Sequence, residues 1–175
     1  MTSSRSRGFT LVELMTAIAV LAIGSALAFP SFQGVMRSNR VATSTNNFIA
    51  AFNLARSEGI RGNRGGGVCP SSDGLNCEGT DWNIGLMAYE DVDFNGTFSA
   101  GDRVVRYFEG NDAIELTAQS GGGGIEQVAF DRSGRVAAPV LINLQIKDCE
   151  AGQEYRRVIE VRQIGQTRMT KEPCQ

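Results

Sequence analysis

Apolar residues fill positions 9 to 29 almost without interruption, and the pattern then changes to a face marked by Val41, Thr45, Phe48, Phe52 and Ala55. As a helix, the first stretch would rise about 31 Å at ~1.5 Å per residue, close to the ~30 Å hydrocarbon thickness of a bilayer. The alternating steps of four and three in the second stretch are those of one helical face. Pro30 stands between the two and is expected to kink the helix rather than end it, because helix-compatible residues continue through Arg56-Ser57-Glu58. Gly59 and the glycine-rich run from Gly62 to Gly67 should then break it. The pattern predicts one long helix over about residues 9 to 60: a membrane or assembly segment over 9–29 and an amphipathic continuation over 30–60.

Beyond residue 60 the periodicity shortens. Candidate strands are Val68, 83–89, 103–108, 113–118, 127–131, 140–146 and 156–163, separated by Gly, Asn and Asp turns. The outer half of the helix presents Phe48, Ile49 and Phe52, which need an apolar surface to cover them. The expected fold is therefore α+β, a long N-terminal helix packed against an antiparallel sheet domain over 61–175. Gly121 to Gly124 has the glycine content of a phosphate loop without the lysine or the strand-to-helix context, so it reads as a hairpin connection.

Composition narrows the chemistry. The chain carries 17 basic and 19 acidic residues and no histidine. Acid–base catalysis by histidine, Ser-His or Cys-His nucleophile pairs and histidine metal sites are excluded. Arg5 and Arg7 precede the apolar run, whereas Arg37 and Arg40 follow it only after an interval, so the bias favours a cytoplasmic N-terminus. The bulk of the chain then lies outside the cytoplasm, where disulfides persist. Cys69, Cys77, Cys149 and Cys174 permit three connectivities. The sequence-local pairs Cys69 with Cys77 and Cys149 with Cys174 are favoured; a zinc site, the rival, lacks both a Cys-x2-Cys pair and histidine.

A secretory signal would place a small-residue cleavage site after the apolar core. Here Phe29-Pro30-Ser31-Phe32 bounds that core, and the candidate processing point lies before it. The segment Gly8-Phe9-Thr10-Leu11-Val12-Glu13 resembles the class III leader and N-terminus of type IV pilins and type II secretion pseudopilins. The resemblance implies a leader over 1–8, cleavage after Gly8 by a prepilin peptidase, N-methylation of Phe9 and use of Glu13 in assembly. It implies residence in a bacterial inner membrane with a periplasmic C-terminal domain, then assembly with other pilins or pseudopilins by inner-membrane machinery. Physics agrees about Glu13. A carboxylate costs ~2.5 to 3.5 kcal/mol at the centre of a membrane helix, less near its end, and the helix dipole returns only ~0.3 to 1 kcal/mol. An ion pair with the amino terminus of a neighbouring subunit would supply the missing partner.

Within that superfamily the remainder is similar to the GspH/FimT group of minor pilins and pseudopilins. Three segments carry the similarity: Ala55-Arg56-Ser57-Glu58, Trp82-Asn83-Ile84-Gly85 leading to Val104-Val105-Arg106, and Phe130-Asp131-Arg132-Ser133-Gly134-Arg135. Some FimT-like members are DNA receptors in natural transformation, and the resemblance places their basic Gly-Arg-x-Arg motif at Gly165-Gln166-Thr167-Arg168, with Gln166 where an arginine is expected. Arg162, Arg168 and Lys171 are the DNA-binding candidates, with Arg156 and Arg157 as additions. The function implied is a structural subunit rather than an enzyme, with a DNA receptor as the alternative.

One further motif stands apart. Asp91, Asp93, Asn95, Gly96 and Asp102 follow the spacing of a calcium loop, with Asp102 in place of the usual closing Glu. The flanks read as strands rather than EF-hand helices, so ordinary turn chemistry competes with a calcium site. No other cofactor is expected.

Overall fold

The structure, a computed structural model, describes residues 8–174, without the side chains of Leu27, Ala28, Pro30 and Ser31. The leader arginines Arg5 and Arg7 lie outside the described residues. The chain divides into two units, one ending at Arg37 and the other beginning at Ser38.

A single helix, α1 (Leu11–Arg61), carries both predicted stretches. It begins two residues later than expected because Thr10 caps it: the Glu13 amide donates to the Thr10 hydroxyl at 3.2 Å. Helical assignment continues through Pro30, whose missing amide does not end the helix.

In the second unit the helix buries the face that its spacing marks out. Val41, Thr45, Phe48, Phe52 and Ala55 are all buried, as is Ala51. Phe48 stacks on Phe52 with ring centroids 4.6 Å apart, and Phe52 meets Phe130 edge-on at 5.9 Å. Thr45, the polar member, returns its hydroxyl to the Val41 carbonyl at 2.7 Å, so nothing polar is left unmatched.

Strands follow as β1 (Gly65–Pro70), β2 (Gly85–Asp91), β3 (Arg103–Glu109), β4 (Ile114–Ser120), β5 (Gly123–Gly124), β6 (Val128–Phe130), β7 (Val140–Ile146), β8 (Arg156–Val161) and β9 (Thr167–Glu172). They form two antiparallel sheets, β3-β2-β1-β6 and β5-β4-β7-β8-β9. One core cluster joins the helix face to Val68 and Ala88 of the first sheet and to Ile142, Leu144, Ile159 and Val161 of the second. The alternate residues Cys69, Met87 and Tyr89 form a second cluster with Cys77 and Phe98. Strands β1 and β2 are thus buried on both faces.

Three expectations need correction. The glycine run does not merely break the helix, since Gly65 to Gly67 open β1. A Cβ on Gly66 would come within 2.5 Å of the Ala55 carbonyl oxygen, and one on Gly67 within 2.5 Å of the Tyr89 ring. Only a strand without side chains can lie so close to its neighbours. Residues 83–84 belong to a 3₁₀ turn (Trp82–Ile84) rather than to a strand. Thr167–Glu172 was not among the expected strands; it forms an edge, mostly exposed, where apolar alternation is not required. Gly121 and Gly122, with φ of 60° and 86°, make the two-residue turn between β4 and β5.

Candidate functional site

The N-terminal motif is exposed. Gly8 has nothing within 4 Å of the position a Cβ would take, Phe9 is 84% exposed, and Glu13 sits in the first turn of α1. No cation pairs with Glu13 among the described residues. Leu11, Val12, Leu14, Met15, Ile18 and Val20 are exposed as well. At 3.6 residues per turn they cover the whole circumference, the pattern of a helix surrounded by an apolar medium or by other helices. Among the described residues no helix is long and apolar enough to cross a membrane.

The structure joins Cys69 to Cys77 and Cys149 to Cys174, each with Cα atoms 5.5 Å apart, and no free cysteine remains. The first bridge lies in the cluster that holds Tyr89 and Phe98. The second fastens the end of β9 to the loop before β8, where the Cys174 amide also donates to the Gln153 carbonyl at 2.8 Å.

The acidic loop connects β2 to β3, and carboxylate oxygens of Asp91, Asp93 and Asp102 lie within 4.8 Å of one another. These acids are committed to the loop itself. Asp91 accepts the Asn95 and Gly96 amides at 3.2 and 2.8 Å, and Asp102 accepts those of Val92 and Ser99. Asn95, a calcium-ligand candidate, accepts the Thr97 amide at 2.7 Å and donates to Asp93. In a closing calcium ligand both Asp102 oxygens would face the ion; here each is held by a backbone amide. Burial raises the Asp91 pKa, opposed by the Gly96 amide and reinforced by Asp93 and Asp102. Burial also pushes the Tyr89 phenol upward, with Asp91 and Asp102 adding to it.

The basic candidates are divided by strand register. Arg168 lies opposite Glu160, whereas Lys171 lies opposite Arg157, on the other face of the β8–β9 ladder. Arg162 is 3.6 Å from Glu160, and Arg156 is 3.9 Å from Glu172. Arg157 is buried, donates from Nη1 to the Glu154 and Arg156 carbonyls, and has its pKa lowered by that burial. No continuous basic stripe results among these five. Gly165, the glycine of the resembled DNA motif, has φ of 76° and sits against Gly134 so closely that a Cβ would overlap the Gly134 carbonyl oxygen.

Sequence reasoning gave no role to the residues that assemble this end of the domain. Arg56 donates from Nε to the Gly134 carbonyl at 2.8 Å and from Nη2 to the Ile164 carbonyl at 3.3 Å, tying two loops to α1. Glu58 pairs with Arg61 and, at 3.0 Å, with Arg103, which also pairs with the buried Glu90 at 2.7 Å. The bond from Arg61, followed by that from Arg103, outweighs partial burial and lowers the Glu58 pKa. Trp82 and Asn83 link the sheets: Nε1 of Trp82 donates to the Ile125 carbonyl at 2.9 Å, and the side-chain Oδ1 of Asn83 accepts the Leu116 amide at 2.6 Å. The only available signal was that the segments Ala55 to Glu58, Trp82 to Gly85 and Phe130 to Arg135 stood out together.

Comparison with known proteins agrees with this geometry. Residues 44–165, more than half of the chain, match the family of the type II transport protein GspH, and residues 3–29 match the prokaryotic N-terminal methylation motif. Among solved structures, the type IV minor pilin FimU of Pseudomonas aeruginosa aligns with a TM-score of 0.55 at 19% identity, covering 77% of this chain and 90% of that one. The minor pseudopilin EpsH of the Vibrio cholerae type II secretion system aligns at 0.52 and 17% identity, covering 75% and 96%. At such identities the likeness is one of fold. No curated protein matches the sequence.

Proposed function

Because the chain belongs to the type II transport protein GspH family and carries the methylation motif of pilins and pseudopilins, we propose that it is a minor filament subunit, polymerised through the first half of α1. The observation that carries this reading is the N-terminal unit itself: apolar side chains exposed on every side of a helix whose first turn holds Glu13. Such a surface calls for lipid before assembly and for neighbouring helices after it.

Residues 9–29 would hold the protein in the inner membrane, with the C-terminal domain in the periplasm. A prepilin peptidase would cut between Gly8 and Phe9, both exposed, and the new Phe9 amine would be methylated. Glu13 lies four residues beyond Phe9, within reach of the amino terminus of an adjacent subunit as the helices come together. That pair would remove an uncompensated carboxylate from the apolar phase, so it favours the assembled state over the isolated one. Catalysis has no place in this account; the work is assembly.

The test combines mass spectrometry of the mature N-terminus with analysis of sheared filaments. N-methylated Phe9 is expected at the terminus. Glu13→Ala should leave the protein processed and membrane-bound but absent from the sheared fraction; normal incorporation would contradict the reading.

A further inference from the structure

Asn95-Gly96-Thr97, in the loop between β2 and β3, has the Asn-x-Ser/Thr spacing of an N-glycosylation acceptor, with Gly rather than Pro in the middle. No other asparagine of the chain has Ser or Thr two residues on. Asn95 and Thr97 are both exposed, and nothing lies within 4 Å of the position a Cβ on Gly96 would take. Phe94, just before them, is 52% exposed, with Arg132 over its ring and Cζ 5.3 Å from the centroid. Gln127 ties the loop to the segment before β6, donating from Nε2 to the Gly96 carbonyl at 2.6 Å. The side chains of the motif itself stay on the surface.

The bonding inside the motif goes beyond its spacing. The Thr97 hydroxyl and the Thr97 amide both donate to Asn95 Oδ1 at 2.7 Å, and Asn95 Nδ2 donates to Asp93 Oδ2 at 2.9 Å. A turn at asparagine needs only the amide bond, so the hydroxyl is the part that distinguishes this motif. A carboxamide nitrogen is a poor nucleophile because its lone pair is delocalised onto the oxygen, as in the peptide bond. A donor at the oxygen and a carboxylate at the nitrogen favour the tautomer in which that pair is free. Thr97 and Asp93 supply one each.

We propose that Asn95 is an acceptor for N-linked glycosylation, its donor an oligosaccharide carried on a polyprenyl diphosphate. Asn95 Nδ2 attacks the anomeric carbon of the donor. The N–C bond forms as the C–O bond to the diphosphate breaks, the lipid diphosphate leaves, and one Nδ2 proton passes to a carboxylate base of the transferase. The proposal rests on the periplasmic placement of the second unit, where a membrane-bound transferase and its lipid-linked donor would meet the loop. The bulky, solubilising glycan would then stand on the unit that begins at Ser38.

The test is to produce the full-length chain in a Gram-negative host together with a bacterial asparagine oligosaccharyltransferase and its lipid-linked oligosaccharide. Intact mass should rise by one glycan, mapped to the tryptic peptide 65–103. Asn95→Gln should abolish the addition. Thr97→Val should lower occupancy at least about tenfold, because a site built to bind a hydroxyl rejects an analogue that lacks it, whereas Thr97→Ser should keep it. Thiol alkylation with and without reduction reports export separately, since Cys69–Cys77 and Cys149–Cys174 form and persist outside the cytoplasm. Bridged protein without the glycan, or a glycan that survives Asn95→Gln or Thr97→Val, would overturn the proposal and leave the periplasmic placement standing. Four free thiols would overturn that placement and the proposal with it.

Discussion

Helix α1 carries two surfaces on one backbone. In the first unit, up to Arg37, large apolar side chains from Leu11 to Met36 are exposed. From Ser38 onward Val41, Phe48, Ala51, Phe52 and Ala55 are buried against the domain's own sheets. Local helix propensity serves both halves, so the difference lies in where each finds its apolar cover. The second half finds it within the chain. The first half does not find it among the described residues, and its cover has to come from lipid or from other subunits.

The sharpest way to break this contrast is to truncate one side chain on each side of the division. Phe52→Ala should destabilise the domain by about 3–5 kcal/mol in chemical denaturation, because its ring packs on both Phe48 and Phe130. Ile18→Ala should change the same measurement by less than ~0.5 kcal/mol, as an exposed position does. Equal losses would erase the distinction between the two halves.

The disulfides sharpen it next. For closed loops of sequence separation 25 and 8, chain entropy assigns about 3.5 kcal/mol to Cys149–Cys174 and about 2.5 kcal/mol to Cys69–Cys77. Replacing each pair by serine should lower the denaturation midpoint in that order while membrane retention of the chain is unchanged. Loss of retention would mean that the second unit governs what is assigned to the first.

Acid dependence gives a smaller effect. Burial raises the Asp91 pKa, so the folded chain holds this proton more firmly than the unfolded one. The stabilising contribution is complete below the ordinary aspartate value and is lost as pH rises through the raised one. The stability of the wild type relative to Asp91→Asn should therefore decline with rising pH across the carboxylate range; a constant difference would refute the burial argument. The smallest change is expected for Arg162→Ala/Arg168→Ala/Lys171→Ala. Because register divides these residues and Arg162 faces Glu160, retention on a DNA column at physiological salt should match that of the wild type.

Much of the helix was legible in the sequence because its signals are local. Steps of four and three marked the buried face, and the motif from Gly8 to Glu13 is contiguous. Strand β7 also has its expected limits, Val140–Ile146, since its alternation is regular and its inward positions are buried. Of strand β1 only Val68 was marked, because its glycines answer to the Ala55 carbonyl and the Tyr89 ring, contacts invisible to a local pattern. Strand β9 was hidden for the opposite reason, since an exposed edge asks little of its side chains. The separation of Arg168 from Lys171 follows from a spacing of three in a strand, but only once that strand is known. The pairing of Phe94 with Arg132 required two distant loops to meet, which neither loop records.

The most direct test of the central claim is a photocrosslinking residue in place of Ile18, activated in intact filaments before shearing. Crosslinks from that position to another pilin or pseudopilin subunit are expected, because the exposed apolar surface of the first half of α1 is assigned to subunit packing. Sheared filaments that contain the protein yet yield no protein crosslink from this position would contradict the account.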